Sequence, residues 1–173
     1  QGQCYLNGPS GPSNHEDQIA DAGSAYTGFR LARTVPSAEP CSDGTLDPSG
    51  GGCYAVTSEA MGWDECRDHC QAWGGDLAII ETASENDFAY ELMVNTGDQF
   101  LMWLGGKDLS DSDTYVWYDG SPIVIDGWAN GEPSNVTHNC LQMDNGSLND
   151  SADGLGKWYD EVCHYDFRCL CEK

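Results

Sequence analysis

Positive charge is what this chain most lacks: 7 lysines and arginines stand against 29 aspartates and glutamates, for a formal net charge of -22. Such a field repels phosphate backbones and anionic headgroups, so nucleic acid and membrane surfaces are excluded as partners. What it attracts is cations: calcium, basic proteins or mineral surfaces, unless it is only a soluble acidic exterior. Long apolar runs are missing too. None approaches the roughly 18 to 20 residues a membrane helix needs, which argues against membrane insertion. The sequence begins at Gln1 without a basic and apolar leader, as a mature chain with its signal peptide removed would. The four histidines, His15, His69, His138 and His164, show no metal-binding spacing, and no Gly-x-Ser-x-Gly, P-loop or His-Glu-x-x-His motif occurs. The adjacent acids Asp160 and Glu161 make no glycosidase pair, because neighbours on an extended segment point apart. No enzymatic activity is expected. No repeat or heptad pattern is present either.

What the chain has in quantity is cysteine. Nine in 173 residues, without C-x-x-C pairs, indicate an oxidising compartment and a secreted, extracellular protein. Three glycosylation sequons fit that route, at Asn135, Asn145 and Asn149. The length suits one ordinary domain with an extension.

Residues 1–40 read as an N-terminal arm. The first part, to about Asp21, is rich in Gly, Pro, Ser and Asn and too poor in apolar residues to fold alone. At 26–35 Phe29, Leu31 and Val35 share one face at period two, the pattern of an exposed or edge strand. A Gly- and Ser-rich loop over 36–52 then leads to Cys53 and Tyr54, where the compact part begins. Thr57 to Trp73 is expected to be helical, closed by Gly74 and Gly75. Asp76 to Ile80 reads as a buried strand, and Ser84 to Val94 as a second helix with Ser84 as N-cap and Phe88, Leu92 and Met93 on its apolar face. Strand signals follow at Phe100 to Leu104, Tyr115 to Tyr118, Leu141 to Met143 and Arg168 to Cys171. Two helices followed by short strands make the fold class α+β.

The residues from 41 to 173 resemble C-type lectin-like domains of the long form. The resemblance is carried by Trp63, Cys66 to Cys70, Gly74-Gly75-Asp76-Leu77-Ala78, Trp103-Leu104-Gly105-Gly106, Trp117-Tyr118-Asp119-Gly120, Trp128, Gly131-Glu132-Pro133-Ser134, Asn139-Cys140, Trp158-Tyr159-Asp160, Cys163 and Cys171-Glu172-Lys173. It implies two helices with small antiparallel sheets, a long loop region and a set of disulfides. By the same resemblance Cys70 pairs with Cys171, Cys140 with Cys163, and Cys41 with Cys53 in an N-terminal hairpin. Cys66 and Cys169 are then left. They suggest a further rung, since Cys66 and Cys70 share a helix face while Cys169 and Cys171 share a strand face. Cys4 remains for an interchain link, a trapped small thiol or a free group. Trp103 and Trp117 match core positions, and Trp128 and Trp158 flank the loop as core or loop anchors.

The resemblance also implies a site. Calcium takes six to eight oxygen ligands, and a sugar diol supplies two of them where the protein leaves positions open. Here the ligands would be Glu132, Ser134 and Asp160, with Pro133 following a cis peptide. Two family ligand positions depart: His138 stands where an acid is expected, and Tyr159 where an asparagine is. A glycan on Asn135 would crowd the same surface. A second calcium locus is expected at Asp108, with Asp111, Asp113 and the acidic stretch 144–153, or else those acids form a solvated loop. The leading expectation is therefore a secreted, calcium-binding protein that recognises carbohydrate. The alternative is an acidic structural or matrix protein that uses the fold without sugar recognition. It would self-assemble through the N-terminal arm into an oligomer or filament, unless the 26–35 strand folds back on its own domain. A module binding an extracellular protein is the third reading.

Overall fold

A computed structural model describes residues 41–50, 52–97, 101–110, 114–134, 137–146 and 155–173. These lie in one compact unit, Ala38–Lys173. The arm, its expected strand at 26–35 and Cys4 lie outside the described residues. The fold is α+β. The chain runs β1 (Thr45–Leu46), β2 (Cys53–Val56), α1 (Trp63–Trp73), β3 (Asp76–Leu77), α2 (Ala83–Asn95), β4 (Leu101–Asp108), β5 (Tyr115–Trp117), β6 (Cys140–Asn145), β7 (Leu155–Glu161) and β8 (Arg168–Glu172). The strands pair in the order β1-β2-β8-β4-β6-β7, with β3 added to β8 and β5 to β4. Only the β4 to β8 pairing is parallel among them.

Both helices begin elsewhere than their sequence signals suggest. α1 starts at Trp63, not Thr57, because Thr57 has other work: its Oγ1 accepts from the Cys169 amide at 2.9 Å and donates to the Glu59 carbonyl at 2.8 Å. That ties the segment ahead of the helix to β8. Gly62 then serves as N-cap, with Glu65 reaching back to its amide, and Gly74 at φ 101° ends the helix in the left-handed region that glycine adopts without strain. In α2 the cap is Thr82 instead of Ser84. Its hydroxyl accepts from Glu85 N while Glu85 Oε2 accepts from Thr82 N, a reciprocal capping box. The run at Asp76 to Ile80 forms only a two-residue strand, after which Ala78 donates its amide to Leu170 O.

Two apolar clusters lie on the sheet. One, around Tyr54, Met93, Met102, Leu104, Trp117, Leu141, Met143, Trp158 and Leu170, is covered by α2. The other packs under α1 and joins Trp63, Leu77 and Trp103 to the cystines. There Cys66–Cys169 and Cys70–Cys171 stand as parallel rungs with Cα separations of 5.5 and 5.2 Å. Cys41–Cys53 closes the N-terminal hairpin and Cys140–Cys163 ties β6 to the segment after β7. Trp103, Trp117 and Trp158 are fully buried, and Trp128 is half-buried against Tyr115 and Trp158. Among the described residues no helix is long and apolar enough to cross a membrane.

Candidate functional site

The long loop between β5 and β6 is fastened to β7, and that fastening builds the site. Ala129 donates its amide to Trp158 O, and Trp158 donates to Gly127 O, so the loop runs beside the strand for a few residues. Gly127 is required there: a Cβ would meet the Trp158 ring at 2.3 Å. Trp158 is locked in turn by its indole N–H, which donates to Asn86 Oδ1 at 2.8 Å. Glu132 closes the turn by donating its amide to Ala129 O at 3.1 Å. The Glu132-Pro133 peptide that follows is cis.

This geometry brings Glu132, Ser134 and Asp160 into one corner. Asp160 stands opposite Leu141 in the β6–β7 ladder, and its side chain has 0% exposure. Its Oδ1 accepts from the Ser134 amide at 2.9 Å and faces the Ser134 hydroxyl at 3.4 Å. Its Oδ2 faces Nδ1 of His138 at 3.9 Å, while the other ring nitrogen lies 3.7 Å from Glu161 Oε1. Tyr115 holds the histidine's backbone in place by donating its hydroxyl to His138 O. Partial burial, then a carboxyl–carboxyl hydrogen bond with Asp160 and that group's charge, push the Glu132 pKa up to about 7. Hydrogen bonds from the Asp160 amide and from Ser134 oppose the rise.

These residues do not fit a calcium ion well. Calcium asks for six to eight oxygens at roughly 2.3–2.6 Å. Here the corner offers two carboxyl groups and one hydroxyl, and Asp160 Oδ1 already accepts from Ser134 while Oδ2 faces the His138 ring. Among the described residues no group of three or more His, Cys, Asp or Glu is placed to hold a metal. Asp108, the anchor of the second expected locus, is buried at the end of β4, and its Oδ1 accepts from the Ser110 amide at 2.9 Å. Asp111, Asp113 and residues 147–154, with Asn149, lie outside the described residues, as does Asn135; Asn145 ends β6.

Sequence reasoning marked His138 only as a missing acid. Its reach to both Asp160 and Glu161 depends on the β6–β7 register, and the Tyr115 contact on the β4–β5 pairing. No short motif carries either. Beside the corner a cavity of about 430 Å³ is lined by Tyr115, Ile123, Val124, Ile125, Trp128 and Pro133 among others.

The comparisons with known proteins converge. A family model described as the lectin C-type domain matches residues 59–173. Human C-type lectin domain family 17, member A is 31% identical over 134 residues, which is 77% of this chain and 32% of that protein. The CD209 antigen of Pongo pygmaeus is 31% identical over 63% of this chain and 28% of its own length. The chain thus spans about a third or less of these two curated relatives. Among solved structures, the SPL-1 complex with GlcNAc aligns with a TM-score of 0.63 and 25% identity over 72% of this chain and 88% of that one. A calcium-independent type II antifreeze protein aligns with a TM-score of 0.61 and 25% identity over 75% and 89%.

Proposed function

The chain belongs to the C-type lectin domain family, and from that footing we propose that it is an extracellular binding module recognising glycan through the corner of Glu132, Ser134 and Asp160. The observation that carries the reading is the convergence of carboxyl, hydroxyl and imidazole groups where the loop meets β7. Hydroxyl-rich ligands are recognised by such fixed sets of donors and acceptors, with an aromatic or apolar wall alongside. The cavity beside Pro133 supplies that wall. The sugar in SPL-1 supports the ligand class. Four disulfides support an extracellular setting. The family's binding domains favour recognition over catalysis as its role.

The test is a glycan array probed with the intact chain, with and without chelator, beside the Ser134→Ala variant. Binding to a defined glycan set, weakened at least tenfold in the variant, is the expected result. An array that stays blank in both conditions sinks the reading.

A further inference from the structure

The donors around Asp160 carry a sharper consequence than the ligand class. In a corner built to receive a divalent cation, the carboxylates point at empty space and repel one another until the ion arrives. Here the chain supplies the opposing groups. One oxygen of Asp160 accepts from the N–H and O–H of Ser134, and the other lies 3.9 Å from the imidazole of His138, whose second nitrogen is 3.7 Å from Glu161. The backbone carrying the imidazole is anchored, since Tyr115 donates to the His138 carbonyl and the Cys140–Cys163 bond holds the start of β6.

We propose that this corner is closed by its own side chains, with the His138 ring set between Asp160 and Glu161 at a position where an acid ligand was expected, so that the loop face is formed without calcium. His138 is then a positioning residue, acting through Asp160 and Glu161 on the Ser134 loop. This deepens the reading of that face as a recognition surface. Its test reads only metal and stability, so the glycan assignment and this one can fail separately.

The experiment compares thermal midpoints of the intact chain in chelator, in millimolar magnesium and in millimolar calcium, with calorimetric titration of calcium as a second readout. For the wild type, calcium and magnesium should shift the midpoint equally and the titration should give no saturable calcium heat. The double variant His138→Glu, Tyr159→Asn places an acid and an amide oxygen at the two departed positions. It should melt several degrees lower in chelator and recover with calcium but not with magnesium. A calcium-specific rise in the wild type overturns the proposal outright. If the wild type ignores calcium and the double variant does too, or fails to fold, His138→Gln decides. A midpoint in chelator unchanged from wild type removes the closing role assigned to the imidazole, and a drop of several degrees upholds it.

Discussion

At Glu132 one carboxyl carries a consequence that can be measured in pH. Its pKa in the folded chain lies near 7, through burial and the Asp160 contact, against 4.5 for the free side chain. The folded state therefore keeps a proton that the unfolded chain has already released. By linkage, stability falls as pH rises from the ordinary carboxylate range to about 7, and levels off above it. Glutamine keeps the shape and the hydrogen bond to Asp160 but cannot ionise. Glu132→Gln should therefore gain on the wild type by a few degrees in midpoint as pH is raised from about 5 to about 8. Parallel pH profiles for the two proteins would show that the pair does not share a proton.

Among the elements, the two rungs between α1 and β8 give the clearest expectation. Their sequence separations, 103 and 101, are nearly the same loop. Once one rung is closed, the other fixes only the few residues between Cys66 and Cys70 and between Cys169 and Cys171. In the chain-entropy model, removing either rung as a paired alanine substitution should cost roughly 2 kcal/mol, while removing both should cost roughly 7, more than the sum. Denaturant midpoints of the three proteins check this; simple additivity would mean the rungs act through packing alone.

The elements also show where sequence legibility ends. The strands at β4, β5, β6 and β8 lay close to their apolar runs, and both helices were found, because each buries a continuous apolar stretch or stripe. β7 was missed. Its inward positions are Gly156, Trp158 and Asp160, and an acid that faces inward spoils the alternation by which a half-buried strand is read. The α1 start was misplaced for a related reason: Thr57 reads as a cap locally, yet its hydroxyl is spent on a strand 112 residues away. The residue types of the corner were legible from the Glu-Pro-Ser and Trp-x-Asp motifs. The role of His138 was not, since it rests on which residues the β6–β7 ladder sets side by side.

Over the whole molecule the charge balance governs. With a formal net charge of -22, folding holds like charges together, and three of the 7 lysines and arginines are doubly used. Arg67 pairs with Asp76 and lies over the Tyr118 ring; Lys107 pairs with Asp64 over Trp63; Lys173 pairs with Asp43 over Trp73. Pairs at the surface contribute little and lose part of it in salt, whereas the stacked aromatic contact is less sensitive. The repulsion among the remaining acids is long-ranged, and screening shortens its reach from about 30 Å at 0.01 M salt to about 3 Å at 1 M. The repulsive sum should win, because 29 acids stand against only 7 lysines and arginines. Raising sodium chloride from about 0.01 M to about 0.5 M should lift the thermal midpoint by several degrees, with most of the gain below about 0.15 M, where the screening length is still long. Magnesium and calcium at matched ionic strength should give equal shifts, since general screening does not distinguish the two ions. A midpoint that is flat or falls with salt would mean that the ion pairs outweigh the net charge, and with it the account of how this acidic surface is held together.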